Sequence, residues 1–414
     1  MNKNKSYCTL PFNHVCVKNE GRYALCCEAT SKYSFVGGDT TINQINFDEW
    51  FHSDYMNQIR NAMKQGRTLK ECTKCYEEES IGRVSPRMNA IANQPADNNK
   101  PVIKTINLKF GNKCNLKCKM CFPGASSELM KEWQALGWDN PINDPLEGQP
   151  GWHGQRWNNE DYNWPTKTKN IDKLLAVAKY VKEVAITGGE PMISPQLIKF
   201  MQECVDRGYS KTIQLHITTN CTKIHPRFLK LAQQFARLEI RASIDGIGRT
   251  YEYVRYPAVW KQVDYNFNKI CEWYEKGLIK TGVVSINFAL SVFNLHQVPD
   301  FIEMFADRVY NICGRDLDHL NIAEVCEPQF MSWVIASTEQ QRETQNKLIK
   351  LAYNYKGKPI GSVAEQTLRI FARYNPNLKK RSDNDKLRDF ILSQDGLRKI
   401  NIKDYIPGLT SLIT

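Results

Sequence analysis

Three cysteines stand close together in the segment Gly111-Asn-Lys-Cys-Asn-Leu-Lys-Cys-Lys-Met-Cys121. Cys114, Cys118 and Cys121 make a C-x3-C-x2-C spacing. Thiolates are the natural ligands of an iron–sulfur cluster, which usually takes four of them. Three ligands on one short segment leave one iron of a [4Fe–4S] cube without a protein partner. An iron left open in this way can bind a substrate or a cofactor, whereas a fully ligated cluster only holds structure or moves electrons. Zinc is the competing reading, but its sites typically show paired C-x2-C arms and four protein ligands. None of the seven histidines forms a recognisable triad with a cysteine or serine, so hydrolytic nucleophile chemistry has no support.

The elements that must carry these residues follow from the apolar pattern. From Pro101 to about Val325, short apolar runs alternate with longer amphipathic stretches, which is the rhythm of β/α units. Strands are expected near Ile103–Phe110, Val181–Thr187, Thr212–Thr218, Leu238–Ile244, Val283–Val292 and His319–Val325. Helices are expected between them, as at Ser194–Arg207 and Val259–Lys276. Six strands of one rhythm imply a parallel sheet or a partial barrel, with active residues at the C-terminal ends of the strands. The three cysteines follow the first of these strands.

Here the sequence resembles the radical S-adenosylmethionine (radical SAM) superfamily, whose signature is this cysteine spacing on the loop after the first barrel strand. The resemblance covers roughly residues 101–325. Further marks fall at successive strand ends: Gly188-Gly-Glu-Pro191 after the second, Thr218-Thr-Asn220 after the third and Ser243-Ile-Asp-Gly246 after the fourth. It implies that Cys114, Cys118 and Cys121 hold a [4Fe–4S] cluster whose open iron binds S-adenosylmethionine. Gly188 and Gly189 would let the backbone approach without a Cβ clash, and Glu190 would meet the methionyl ammonium. Ser243 and Arg255 are candidates for the carboxylate, Asn220 ends the third strand, and Asn294 is placed near the adenosine. Met120 stands where the family often has an aromatic residue beside the adenine, and methionine is adaptable enough to fill that space.

Residues 1–100 hold six cysteines and end in a polar linker, Asn93 to Pro101. Cys8, Gly21, Cys26 and Cys72-Thr-Lys-Cys75 are similar to the SPASM/twitch domains that carry auxiliary clusters in related enzymes. On that resemblance Cys8, Cys26, Cys72 and Cys75 would close a second [4Fe–4S] site, in the shorter, single-cluster twitch form. Cys27 could replace Cys26, and a zinc ribbon of the same thiolates is the alternative. The family normally places this domain after the barrel; here it comes before. Cys16, Cys204, Cys221, Cys271, Cys313 and Cys326 match no ligand spacing and read as small buried hydrophobes.

The expected fold class is therefore α/β: a partial (β/α)6 TIM-like barrel over 101–325, a small Cys-rich auxiliary domain over 1–100 and a mostly helical extension over 326–414. A long stretch at about 123–165 interrupts the rhythm and holds five of the nine tryptophans, Trp133, Trp138, Trp152, Trp157 and Trp164. It reads either as a cap on a substrate or as a self-packed subdomain with buried tryptophans.

The chain has 414 residues, 42% hydrophobic and 24% charged, which excludes wholesale disorder. No apolar run approaches the ~18 residues of a membrane span, and no apolar stretch follows the basic start as a secretory signal requires. Fourteen cysteines without an export signal point to metal or redox chemistry in the cytoplasm. The formal charge is +12, and Arg369 to Lys403 hold ten Lys or Arg against four Asp. That stripe lacks aromatic interleaving and reads as a solvated helical face, so nucleic acid is not supported as a partner. The resemblance implies reductive cleavage of S-adenosylmethionine and hydrogen abstraction from a peptide or protein, with the second cluster as electron acceptor or substrate contact, or else dehydrogenation or other modification of a small molecule or nucleic acid. It also implies an external electron donor such as flavodoxin or ferredoxin. A non-catalytic electron-transfer or scaffold protein is the reading from another class.

Overall fold

The computed structural model describes residues 6–80, 84–93, 100–139, 145, 161–313, 319–372 and 381–412. Its strands are β1 (His14–Val17), β2 (Tyr23–Ala24), β3 (Thr105–Lys109), β4 (Glu183–Thr187), β5 (Gln214–Thr219), β6 (Arg237–Ser243), β7 (Gly282–Leu290) and β8 (Leu320–Glu324). They form a sheet in the order β2-β1-β3-β4-β5-β6-β7-β8. Strands β3 to β8 are the six that the apolar rhythm predicts, each within two residues of its expected ends, and they run in chain order as a partial (β/α)6 barrel requires. The pairs β3–β4, β4–β5 and β7–β8 are parallel, with Thr105 opposite Glu183, Glu183 opposite Gln214, and Ile286 opposite Leu320.

The N-terminal region adds two strands that the sequence pattern does not announce. β1 runs parallel to β3, with His14 opposite Thr105, and β2 folds back antiparallel on β1. β1 is only four residues long and buried at every one, and β2 has two residues, so neither shows an alternation.

The helices include α1 (Asp54–Lys64), α2 (Thr73–Ser80), α3 (Ser127–Ala135), α4 (Thr168–Ala178), α5 (Pro195–Asp206), α6 (Gly248–Val254), α7 (Trp260–Glu275), α8 (Val298–Cys313), α9 (Thr338–Asn354), α10 (Pro359–Ala372) and α11 (Arg381–Arg398). Their starts are local: Ser53 and Ser126 accept from backbone N–H groups in the first turns of α1 and α3. Ser337 and Gln340 form a reciprocal capping box at α9. Pro195 opens α5, where its missing N–H costs nothing. Among the described residues no helix is long and apolar enough to cross a membrane.

The chain forms two compact units, one of residues 1–113, 158–217 and 226–238, the other of residues 114–157, 218–225 and 239–414. In the first, β3, β4 and β5 alternate, and one face (Ile106, Leu108, Val184, Ile186, Leu215, Ile217) is fully buried. An aromatic cluster lies beside β2, with Tyr23 stacked 5.1 Å from Trp50 and edge-on 5.4 Å from Phe47. In the second, β7 buries Val284, Ile286, Phe288 and Leu290, with Phe288 packed 4.6 Å from Phe301 of α8.

Of the Trp-rich stretch, Trp133 and Trp164 are fully buried. Trp164 packs edge-on against Phe110 in the first unit; in the second, Trp133 meets Trp138, which stacks on Phe390 of α11. Trp152 and Trp157, residues 94–99 of the polar linker and residues 373–380 of the basic stripe lie outside the described residues.

Candidate iron–sulfur and cofactor sites

Cys114, Cys118 and Cys121 lie on the segment between β3 and α3, in the second unit. Cys118 is buried, Cys114 and Cys121 half-buried. The segment is held by backbone bonds on either side of Cys118: Lys117 N–H donates to Tyr256 O at 2.6 Å and Lys119 N–H to Val254 O at 2.8 Å. Cys114 N–H donates to Ser127 Oγ at 3.3 Å, and Cys121 N–H to Cys118 O at 3.1 Å. No disulfide joins any of the cysteines.

A buried charge faces Cys118. The Arg255 guanidinium lies 3.9 Å from Cys118 Sγ and donates through Nε to Asp245 Oδ2 at 2.6 Å. Asp245 is fully buried, and its other oxygen accepts from Ala289 N–H at 2.7 Å. Burial works against the charge on Arg255, but Asp245 holds the guanidinium protonated beyond its usual range. Burial pushes the Cys118 thiol up, and Arg255 pulls the other way. The three thiols therefore suit a thiolate cluster, since their donor chemistry is right and a fixed cation already stands beside one of them.

The other expected contacts in this unit fall into two groups. Asn220 Nδ2 donates to Asn115 Oδ1 at 3.2 Å, while its Oδ1 accepts from Thr222 N–H at 3.0 Å, so it ties the cysteine segment to the end of β5. Asn294 is fully buried: its Oδ1 accepts from Ser291 N–H at 2.8 Å and Ser291 Oγ at 3.2 Å, and its Nδ2 donates to Asp245 O and Ala289 O. Every hydrogen-bonding position of that amide is spent on the turn after β7, which braces Asp245. Ser243 is half-buried at the end of β6, and Met120 is half-buried beside Cys121.

Gly188, Gly189 and Glu190 follow β4 in the first unit. Gly188 has φ +80°, and a Cβ there would stand 2.7 Å from Lys109 Cα. Gly189 has φ +51°, and its Cβ would meet Lys113 O at 2.4 Å. Only glycine permits this crossing of backbones. Glu190 N–H donates to Lys113 O at 2.8 Å, and the buried Glu190 carboxylate accepts from Met192 N–H at 2.8 Å.

The second cysteine set also belongs to the first unit. Cys8, Cys26, Cys72 and Cys75 line one cavity with Leu25 and Met63; Cys27 is not among the lining residues. Burial raises all four thiols, Cys8 to about 11, and each feels its neighbours as further like charges. Thiolates gathered in so apolar a place need a cation or a metal cluster to balance them, which is the donor chemistry of a four-thiolate site. Two residues that carry no sequence signal frame it. Arg87 donates to Tyr7 O at 2.7 Å and pairs with Glu79 of α2, clipping the Cys8 segment to the helix of Cys75. Glu71, buried beside Cys72, accepts from Tyr55 OH at 2.7 Å and from Ser34 N–H and Oγ. Among the described residues, no three His, Cys, Asp or Glu side chains gather as a single metal ion would require.

Residues 108–304 match the family model of the radical SAM superfamily. This stretch is similar to radical SAM domains. It spans β3 to α8, and that superfamily implies a [4Fe–4S] cluster with S-adenosylmethionine. An uncharacterized protein of Methanocaldococcus jannaschii is 29% identical over 148 residues, 35% of this chain and 40% of its own. The chain thus spans less than half of that relative. Among solved structures, Streptococcus suis SuiB bound to S-adenosylmethionine is 12% identical, with a TM-score of 0.36 over 73% of this chain and 53% of that one. SuiB bound to its precursor peptide SuiA is 13% identical, with a TM-score of 0.32 over 62% and 43%. Likenesses this low carry no argument about substrate.

Proposed function

We propose that the chain is a radical SAM enzyme. The observation that carries this is the C-x3-C-x2-C set, Cys114, Cys118 and Cys121, inside the matched domain. When bound, the cluster supplies the electron that cleaves S-adenosylmethionine to methionine and a 5′-deoxyadenosyl radical, which takes a hydrogen atom from an unreactive C–H bond. The chain's own residues bind and orient. Gly188 and Gly189 open backbone room, Glu190 receives the methionyl ammonium, and Ser243 meets the carboxylate. Arg255, held by Asp245 and 3.9 Å from Cys118 Sγ, is the further candidate for the carboxylate. Asn220 and Asn294 fix the turns, and Met120 would lie near the adenine.

We further assign Cys8, Cys26, Cys72 and Cys75 to an auxiliary twitch-type cluster, on the cavity they line. A peptide or protein substrate and an external flavodoxin or ferredoxin donor complete the reading. Of the Trp-rich stretch at about 123–165, Trp133, Trp138 and Trp164 pack against other aromatic rings, which supports the self-packed reading for these three. Anaerobic reconstitution, followed by dithionite and S-adenosylmethionine, is expected to release 5′-deoxyadenosine. A C114A/C118A/C121A chain should release none. A wild-type chain that takes up zinc in place of iron, or never forms that product, refutes the assignment.

A further inference from the structure

The basic C-terminal stripe reads from sequence as a solvated face, yet two charged residues at its end are buried. Arg398 is 7% exposed and Asp395 5%. They lie three residues apart on α11, hence on one face of the helix, and both reach the segment that carries Cys114, Cys118 and Cys121. We propose that α11 holds this segment in its cluster-binding shape, with Asp395 and Arg398 as positioning residues that act through Lys119 and Glu132. The proposal rests on the reading of that segment as the cluster loop.

The contacts grip the two neighbours of Cys118. Lys119 has a fully buried side chain, and its Nζ lies 2.8 Å from Asp395 Oδ1 and 4.4 Å from the centre of the Tyr253 ring. Asp395 also accepts from Tyr253 OH at 3.1 Å and from Ile402 N–H at 3.0 Å, so the carboxylate is fixed before the lysine meets it. On the other side, Arg398 forms a two-pronged pair with Glu132 of α3, at 2.6 and 2.9 Å, and donates to Lys117 O at 2.8 Å. Both side chains of that pair are buried. α3 starts directly after the loop, and its capping residue Ser126 donates its hydroxyl to Leu116 O at 2.6 Å. Leu116, Lys117 and Lys119 are thus each tied to an element outside the loop.

Buried ion pairs seldom add net stability over apolar residues of the same volume, whereas breaking one by removing a single partner is costly. Their value lies in direction: a fork and a carboxylate hold one geometry where packing alone tolerates several. Cluster assembly needs three thiolates at fixed spacing, and the residues on both sides of the middle one are those held by α11.

The test measures amide exchange in the metal-free full chain, so its result does not depend on any cluster forming. In D395N, amides of residues 114–121 should exchange about tenfold faster or more, while those of β7 in the same unit stay as slow as in wild type. R398K keeps the charge but loses the fork, and should show the same selective loosening should D395N fail to fold. K119M/D395L removes both charges; it should recover thermal stability yet keep the fast-exchanging loop. Iron uptake in a C72A/C75A background, which leaves only this site, should fall with the loop's protection. Unchanged exchange at 114–121 overturns the proposal, and so does loosening shared equally with β7. If wild type itself takes no iron here, the function proposed above fails while the exchange result stands.

Discussion

Arg255 has partners in the structure that no spacing in the sequence announces. The Ser243-Ile-Asp-Gly246 element is legible as a strand-end motif, but its Asp245 turns inward. It binds Ala289 N–H, 44 positions away, and the Arg255 guanidinium, which then stands 3.9 Å from Cys118 Sγ. No spacing rule links these residues, because the partners come from separate elements. A cation fixed beside a cluster thiolate favours the more reduced, more negative state. Two unit charges 4 Å apart are worth about 4 kcal/mol at an effective dielectric near 20. Charge spread over the cluster lowers this to about 1–2 kcal/mol, which corresponds to about 40–90 mV for a one-electron couple. R255M should therefore shift the potential of this cluster more negative by that order, with R255K recovering part of it, as read by potentiometric EPR. An unchanged or raised potential would show that Arg255 serves elsewhere.

At the scale of elements, the strands were legible because their side chains alternate. β3 and β4 bury every second residue, so their apolar runs stand out between the longer amphipathic stretches. β1 and β2 were not, for they are short and fully buried, and the pairing of β1 with β3 depends on a partner some 90 residues on. The Gly188-Gly189 pair was legible as a turn, but the structure gives its physical demand. A Cβ at Gly189 would lie 2.4 Å from Lys113 O, on a backbone already at φ +51°. The left-handed conformation alone costs a non-glycine residue about 1–2 kcal/mol. G189A should weaken S-adenosylmethionine binding by about tenfold or more, each 1.4 kcal/mol being tenfold, while iron content stays at the wild-type level. G137A is the control, since Gly137 has φ +68° with nothing within 4 Å of its Cβ position. It should bear the backbone cost without loss of cofactor affinity, measured by titrating the cluster's EPR signal. Equal affinity in G189A and wild type would remove this turn from the cofactor site.

At the scale of the whole molecule, the question is what the second cysteine set is for. A Cys-rich segment of about 100 residues with few long apolar runs could need a metal to fold at all. The structure weakens that argument. The N-terminal segment contributes β1 and β2 to the sheet, and it buries Phe12, Tyr23, Phe47, Trp50, Phe51, Met56 and Ile59 to 1% exposure or less. Its core includes the Tyr23–Trp50 stack and the Phe51 ring under the Arg60 guanidinium, which itself donates to Pro11 O and Phe51 O. Burying seven such side chains is worth roughly 1.5–3 kcal/mol each, which together matches the ~10–16 kcal/mol of a structural metal. The four thiols of the cavity are then more than the fold requires, which favours a redox or substrate-contacting role. The variant C72A/C75A should accordingly lose the auxiliary iron but keep the amide protection of β1 and β3. It should still release 5′-deoxyadenosine when given dithionite and S-adenosylmethionine, because the other three cysteines are untouched. Turnover of the true substrate should fall by about a hundredfold or more if the cluster must accept the electron left on the substrate radical, a loss of about 2.7 kcal/mol in transition-state terms. Iron content, cofactor cleavage and product are measured separately on the same sample. Product formed at the wild-type rate without the auxiliary iron would return those four cysteines to a structural role.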